Sequence, residues 1–285
     1  MITSRHQNTS ILRPIIATVA LLTAFGSLHL SAKKYEAYID SADNYASHQH
    51  YTEAARCYRE ALKANPASPL NSKIFANLGI CLTETGQFGL ALEAFDVALV
   101  REPKSAPILT SRAKTYILTN NTEDALKDLD SALSVDSIYL SALRLRGNLH
   151  MLDSDYAAAM SDFRVINRHY PDDETGLTGL ARCFEHASEL RQAIEFYKQA
   201  LHVSDDPDTN VALAGALIND NQLTEAREHI REAIRRHPRC ANLYLMRGVV
   251  HQRMFQPEEA ATDKKTAINL GADPDMADKL ISTKK

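Results

Sequence analysis

The chain has 285 residues, a formal net charge of -4 at pH 7, no tryptophan and only ten glycines. Binding to a phosphate backbone depends on clustered lysine and arginine, so this charge balance argues against nucleic acid as a partner. Hydrophobic residues make up 45% of the chain, as expected where alanine packs between helices.

The first 32 residues differ from the rest of the chain. Arg5 and Arg13 precede an apolar run, Pro14 to Phe25, and small residues follow it up to Ala32. This order is typical of a secretory signal peptide that is cleaved after Ala32. The apolar stretch continues to Leu30, which is the short end of a membrane span, so an uncleaved N-terminal anchor is the alternative. Both interpretations predict an exported protein of the periplasm or cell envelope.

From Tyr35 to Asp273 the sequence repeats with a period of about 34 residues. In every copy the eighth residue is alanine or glycine and the twentieth is alanine. Apolar residues around these positions follow a helical spacing in two stripes, which predicts two amphipathic helices in each copy. The copies, within residues 33–273, are 35–68, 72–105, 106–139, 140–173, 174–206, 207–240 and 241–273.

The small residues and the turn between the helices support this prediction. Alanine at the twentieth position predicts close contact between two helix backbones, and it occurs as Ala54, Ala91, Ala125, Ala159, Ala193, Ala226 and Ala260. The turn position includes glycine and asparagine, which tolerate positive φ, and it is occupied by Gly86, Asn120, Ser154, Ser188 and Asn221. After the last copy, Pro274 opens a further predicted helix, and residues 274–285 form a C-terminal cap and tail.

This pattern resembles the tetratricopeptide repeat, a helix-turn-helix unit of 34 residues, in its exported bacterial form. The resemblance implies an all-α, right-handed superhelical solenoid of seven units with a C-terminal capping helix. It also implies a scaffold that binds other proteins. No metalloprotease, Cys-x-x-Cys, phosphate-loop or nucleophile-elbow motif occurs in the sequence, so we expect no enzyme activity, no cofactor and no metal.

A second regularity runs inside the repeats. Three copies have arginine at position 7 and aspartate at position 23, and no other copy has either residue there. A buried guanidinium is costly unless a carboxylate pairs with it, so we predict three structural ion pairs within these copies. The pairs are Arg112 with Asp128, Arg146 with Asp162, and Arg247 with Asp263.

The four cysteines allow one disulfide. Cys57 and Cys81 lie on helices that pack together in this architecture, whereas Cys183 and Cys240 have no such partner. An exported chain would permit the bond between Cys57 and Cys81. The alternative is that these residues pack as small hydrophobic side chains.

The resemblance implies that the first helices line a concave, partner-binding groove. The groove positions carry a mixture of cationic, amide and apolar side chains. They are Lys73, Asn77, Lys114, Ile117, Arg144, Asn148, Met151, Arg182, Leu245 and Met246. The polar track is similar in type to a carboxylate clamp, although only Asn148 and Arg182 fall in register with that clamp. We therefore predict an acidic or extended peptide segment as the partner.

Two functions follow from the sequence. The first is a non-enzymatic interaction scaffold on the outer side of the cytoplasmic membrane, which holds a partner protein segment in the concave groove. The alternative is a structural repeat protein of the cell envelope that self-assembles end to end. Contact with a membrane is expected only through the N-terminal segment, if it is uncleaved.

Overall fold

A computed structural model describes residues 31–281 of the chain. Within that part every regular element is a helix, which confirms the predicted all-α class. The predicted signal peptide or anchor lies outside the described residues, apart from Ser31 and Ala32 at the start of the first helix. None of the helices among residues 31–281 is both long and apolar enough to cross a membrane.

The chain divides into two compact units, and the boundary lies between residues 137 and 138. In the first unit, successive helices form hairpins in which α3 packs on α4 and α5 packs on α6, while α2 contacts α3 and α4 contacts α5. The helices of this unit are α1 (31–47), α2 (Tyr51–Ala64), α3 (Asn71–Glu84), α4 (Phe88–Arg101), α5 (Ala106–Leu118) and α6 (Thr122–Val135).

The second unit repeats the same arrangement, with hairpins α7–α8, α9–α10, α11–α12 and α13–α14 and a final short helix. Each hairpin also packs against the next, through contacts such as α8 on α9 and α12 on α13. These helices are α7 (Leu140–Leu152), α8 (Tyr156–His169), α9 (Glu174–His186), α10 (Leu190–Val203), α11 (Pro207–Asn219), α12 (Leu223–Arg236), α13 (Ala241–Arg253), α14 (Pro257–Asn269) and α15 (Pro274–Leu280).

The small residues allow the helices of one hairpin to approach closely. The seven alanines at position 20 are all buried. At position 8, glycine makes room for an aromatic ring: a Cβ atom on Gly79 would lie 2.8 Å from the ring of Phe95, and one on Gly147 would lie 2.8 Å from the ring of Phe163. Phe95 and Phe163 are the 24th residues of their repeats. The small residue at position 8 therefore makes space for the bulky residue at position 24 of the same repeat.

The turn inside each hairpin uses the left-handed backbone region. Gly86 has φ of 74°, and Asn120 and Asn221 have φ near 60°, as their residue types allow. Phe255 occupies the same position in the last hairpin with φ of 60°, and its side chain is 92% exposed. Bulky residues rarely adopt this conformation, so Phe255 adds backbone strain to the last turn.

The C-terminal helix α15 covers the end of the second unit. Asp273 caps it by accepting a hydrogen bond from the Met276 backbone N–H at 2.7 Å. Ala277 and Ile281 join a buried cluster with residues of α13 and α14, including Ala267. The capping helix that the sequence predicts is therefore present and seals this end with apolar contacts.

Candidate functional site

The three arginine–aspartate pairs are present, each as a two-point contact between a guanidinium and a carboxylate. Arg112 donates from Nε and Nη2 to the two oxygens of Asp128, both at 2.7 Å. Arg146 and Asp162 make the same two bonds at 3.0 and 2.6 Å. Arg247 completes the set with Asp263, at 2.9 and 2.6 Å. This geometry joins the two helices of a hairpin rather than presenting a charge to a ligand.

The carboxylates of these pairs are almost completely buried, with at most 8% of the side chain exposed. The hydrogen bonds from Arg112 to Asp128 raise the pKa of that guanidinium, and Arg112 also reaches Asp96 at 2.6 Å. For Arg247, the bonds to Asp263 raise the pKa in the same way. The guanidinium groups of Arg112 and Arg247 therefore stay charged, and the three pairs act as structural ties.

The cysteines are free thiols, and no disulfide joins Cys57 to Cys81. Both of these residues are buried, as is Cys183, whose Sγ lies 3.5 Å from Sδ of Met151. Burial raises the pKa of Cys81 to about 11, so its thiol is protonated at neutral pH. Cys57, Cys81 and Cys183 therefore pack as small hydrophobic side chains, which is the alternative to a disulfide.

Three of the four predicted groove residues in the first unit are exposed, but two of these three already contact another side chain. Lys73 is exposed, and so is Asn77, whose side chain donates to the Tyr58 hydroxyl at 3.4 Å. Lys114 forms an ion pair of 2.6 Å with Glu84, so its charge is already compensated. Ile117 is half-buried.

In the second unit, α7 and α9 present a mixed polar and apolar surface, which we name the α7–α9 face. Its members are Arg144, Asn148, Met151, Leu152 and Arg182. The four residues of α7 recur at helical spacing and therefore share one side of that helix. Asn148 and Arg182 are exposed, Leu152 is 77% exposed, and Met151 is half-buried against α9.

The two arginines of the α7–α9 face differ in freedom. Arg144 is held by Asp173, a buried carboxylate that also caps α9 by accepting from the Gly176 backbone N–H at 2.8 Å. Arg182 makes no ion pair among residues 31–281. Nearby on α9, Glu185 accepts a bond of 2.5 Å from the Tyr197 hydroxyl. Arg182 is thus the cation of this face that remains available to a ligand.

Two predicted groove residues are placed differently by the structure. Leu245 is only 1% exposed, so its assignment to the groove is wrong. It packs in the cluster that Ala277 and Ile281 of α15 complete, and Met246 packs against the same cluster. The cap thus covers the apolar residues that the repeat pattern leaves open at the last copy.

Sequence reasoning missed the carboxylates that neutralise the track, because each lies far along the chain from its partner. Glu84 lies 30 positions before Lys114, and Asp173 lies 29 positions after Arg144. Asp173 had a usable signal, since aspartate directly before a helix is a favoured N-cap. Among residues 31–281 no group of three or more histidine, cysteine or acidic side chains could hold a metal ion.

Comparison with known proteins identifies the class of this fold. Family models described as "Tetratricopeptide repeat" match residues 39–107, 111–174, 177–211 and 211–263. The chain therefore belongs to the tetratricopeptide repeat family.

Individual members of the family are similar to this chain only at a distance. The chain is 24% identical to Hsp70-Hsp90 organizing protein 1 of Glycine max over 64% of this chain and 33% of that protein. It spans about a third of the length of that protein, and about a third of Tetratricopeptide repeat protein 6 of Homo sapiens and of Hsp70-Hsp90 organizing protein 2 of Arabidopsis thaliana.

Two solved structures share the fold. A tetratricopeptide repeat protein from Parabacteroides merdae has a TM-score of 0.63 and 24% identity, with 88% of this chain and 98% of that chain covered. YrrB, described as "a TPR protein with an unusual peptide-binding site", has a TM-score of 0.57 and 22% identity, with 65% and 96% covered.

Proposed function

We propose that this chain is an interaction scaffold without catalytic activity, and that its α7–α9 face binds an extended, acidic segment of a partner protein. Membership of the repeat family supports the general role, and YrrB, a protein of the same fold, is described as having a peptide-binding site. Hsp70-Hsp90 organizing protein 1, to which the chain is also similar, is named for two other proteins, Hsp70 and Hsp90.

The observation that carries the acidic specificity is the state of Arg182. Its guanidinium is exposed and has no ion-pair partner within residues 31–281, and it lies one repeat after the exposed amide of Asn148. A carboxylate can accept two parallel bonds from a free guanidinium, whereas Arg144 is already committed to Asp173. Exposed apolar surface from Leu152 would contact the remainder of the segment.

A peptide selection tests this proposal. A library of extended peptides is panned against the full chain, and affinities of the selected peptides are measured by fluorescence polarisation. We expect acidic sequences to be enriched and Arg182→Glu to weaken them by about tenfold or more. Arg191→Glu is the matched control, because it makes the same charge change at an exposed residue of α10. Enrichment of basic peptides, or equal affinities in both variants, would remove the proposal.

We also propose that the chain acts outside the cytoplasm, on the evidence of the charged, apolar and small-residue order in its first 32 residues. A reporter enzyme that is active only in the periplasm, fused to the C-terminus, should be active with the full chain. Removal of residues 1–32 should abolish that activity while the protein level stays the same. Equal activity of the two fusions would contradict export by this segment.

End-to-end self-assembly is the alternative function. At the C-terminal end of the described residues, α15 covers the apolar cluster around Leu245, which argues against stacking of a second copy on that cluster. Light scattering should therefore give a mass that does not grow with protein concentration. Open-ended growth would favour the alternative.

A further inference from the structure

The sixth repeat lacks the arginine–aspartate pair that fills the third, fourth and seventh. Its position 7 is Leu213 and its position 23 is His229. A surface cavity of about 290 Å³ lies at this place, lined by Lys198, Leu201, His202, Leu213, His229 and Arg236. The fifth repeat also lacks the pair, but Phe196 occupies its position 23 and stacks on Phe184. A cavity of about 360 Å³ also borders Arg247 and Asp263 of the seventh repeat, but Glu258 and Glu259 line it as well. The sixth repeat thus has a cavity at these positions without the pair.

The chemistry of the cavity lining is one-sided. Four of its six side chains carry nitrogen, two are leucines, and none is a carboxylate. Lys198 pairs with Glu225 at 3.0 Å, and Arg236 pairs with Asp205 at 2.5 Å, but neither acid lines the cavity. Lys198 also lies 3.7 Å from Glu195. An ammonium has three donors and a guanidinium has five, so these carboxylates leave each cation with at least one further N–H group.

The leucines define the rest of the ligand. Leu213 is buried and Leu201 is half-buried, so the wall between the cations is apolar. An inorganic anion would leave this wall without a contact, whereas a methylene chain would cover it. The volume lies just below the range of about 300 to 1,000 Å³ that is usual for drug-sized ligands, so the occupant is small.

We propose that this cavity binds an aliphatic carboxylate, with its charged end between Lys198 and Arg236 and its carbon chain on Leu201 and Leu213. This site goes beyond the proposed scaffold function, because residues of α10, α11 and α12 line it and it leaves the α7–α9 face free. His229 donates from Nε2 to the Asn210 carbonyl at 3.2 Å, which holds its ring at the wall of the cavity.

The test is a titration of the full chain with hexanoate, followed by two-dimensional NMR of the backbone amides. We expect saturable shifts of amides near Lys198, Leu213 and His229. Hexylammonium should cause no such shifts, because it carries the wrong charge. Saturation by inorganic phosphate without saturation by hexanoate would overturn the carboxylate class. A capped peptide with one glutamate distinguishes the source: tighter binding than hexanoate indicates a partner's side chain, and weaker binding indicates a free acid.

The variant that decides the site copies the filled repeats. Leu213→Arg with His229→Asp places an arginine and an aspartate where the fourth repeat has them, and it should abolish hexanoate binding while the protein stays folded. Lys198→Met keeps the cavity open and should weaken binding by about tenfold through loss of one charged contact. Arg231→Met, at an exposed position of α12, is the control and should not change the affinity. Unchanged affinity in Lys198→Met, or in the folded double variant, would overturn the proposal.

Discussion

The fourth and sixth repeats are both helical hairpins, but different side chains lie between their two helices. In the fourth, Arg146 and Asp162 tie the two helices together with two hydrogen bonds. In the sixth, Leu213 and His229 occupy the same two positions and leave a cavity. Both repeats have small residues at positions 8 and 20, and both form the hairpin. The residues at positions 7 and 23 can therefore differ between repeats without loss of the hairpin.

The largest effect is expected from breaking the ion pair of the fourth repeat. Asp162→Ala removes the buried carboxylate that accepts two hydrogen bonds from Arg146, which should lower the free energy of unfolding by about 3 kcal/mol. The measurement is urea unfolding followed by circular dichroism.

A double variant sharpens this comparison. Arg146→Leu with Asp162→Phe copies the fifth repeat, which has Leu180 and Phe196 at these positions. It should recover most of the lost stability, because a buried ion pair can be replaced by packed apolar groups at little cost. A double variant as unstable as Asp162→Ala would contradict this account of the pair.

A glycine of the fourth repeat should give the next largest effect. A Cβ atom on Gly147 would lie 2.8 Å from the ring of Phe163, so Gly147→Ala should lower the free energy of unfolding by about 1 to 3 kcal/mol. In the sixth repeat, a Cβ atom on Gly215 would meet nothing within 4 Å, so this glycine serves as the matched control. Gly215→Ala should stabilise the protein by about 0.5 to 1 kcal/mol, because alanine is the better helix former. Thermal unfolding of both variants checks the difference, and the same sign for both would count against it.

The smallest effect concerns pH and the sixth repeat. Burial lowers the pKa of His229 below its ordinary value. The unfolded chain therefore gains a proton on this ring at a higher pH than the folded chain. Stability should fall as the pH drops through about 6.5, the pKa of an exposed histidine. Around the ring, Arg236 disfavours the proton, whereas the Asn210 carbonyl, Asp205 and Glu225 favour it.

The variant His229→Gln should flatten this pH dependence. Urea unfolding at pH about 7.5 and about 5.5 should show a smaller loss of stability for the variant than for the native chain. His202→Gln, at an exposed residue of the same cavity, is the control and should lose as much stability as the native chain. An equal loss in His229→Gln would show that this ring does not carry the effect.

The sequence was sufficient to predict features that recur with the repeat. The helical class and the partners Arg112 and Asp128 follow from fixed positions in a copied unit, and the capping helix follows from Pro274 after the last copy. It was not sufficient where a contact joins different copies or a segment outside the repeat. Leu245 looked exposed because the non-repeating α15, which covers it, has a packing register that the period does not give. The pairing of Arg144 with Asp173 was missed because these residues stand near opposite ends of one copy, 29 positions apart, where no helical spacing connects them.

NMR mapping with a selected acidic peptide shows whether the α7–α9 face holds an acidic segment. We expect saturable shifts on α7 and α9, centred on Asn148 and Arg182 and absent in Arg182→Glu. Saturable shifts confined to other helices, with α7 and α9 unchanged, would contradict it.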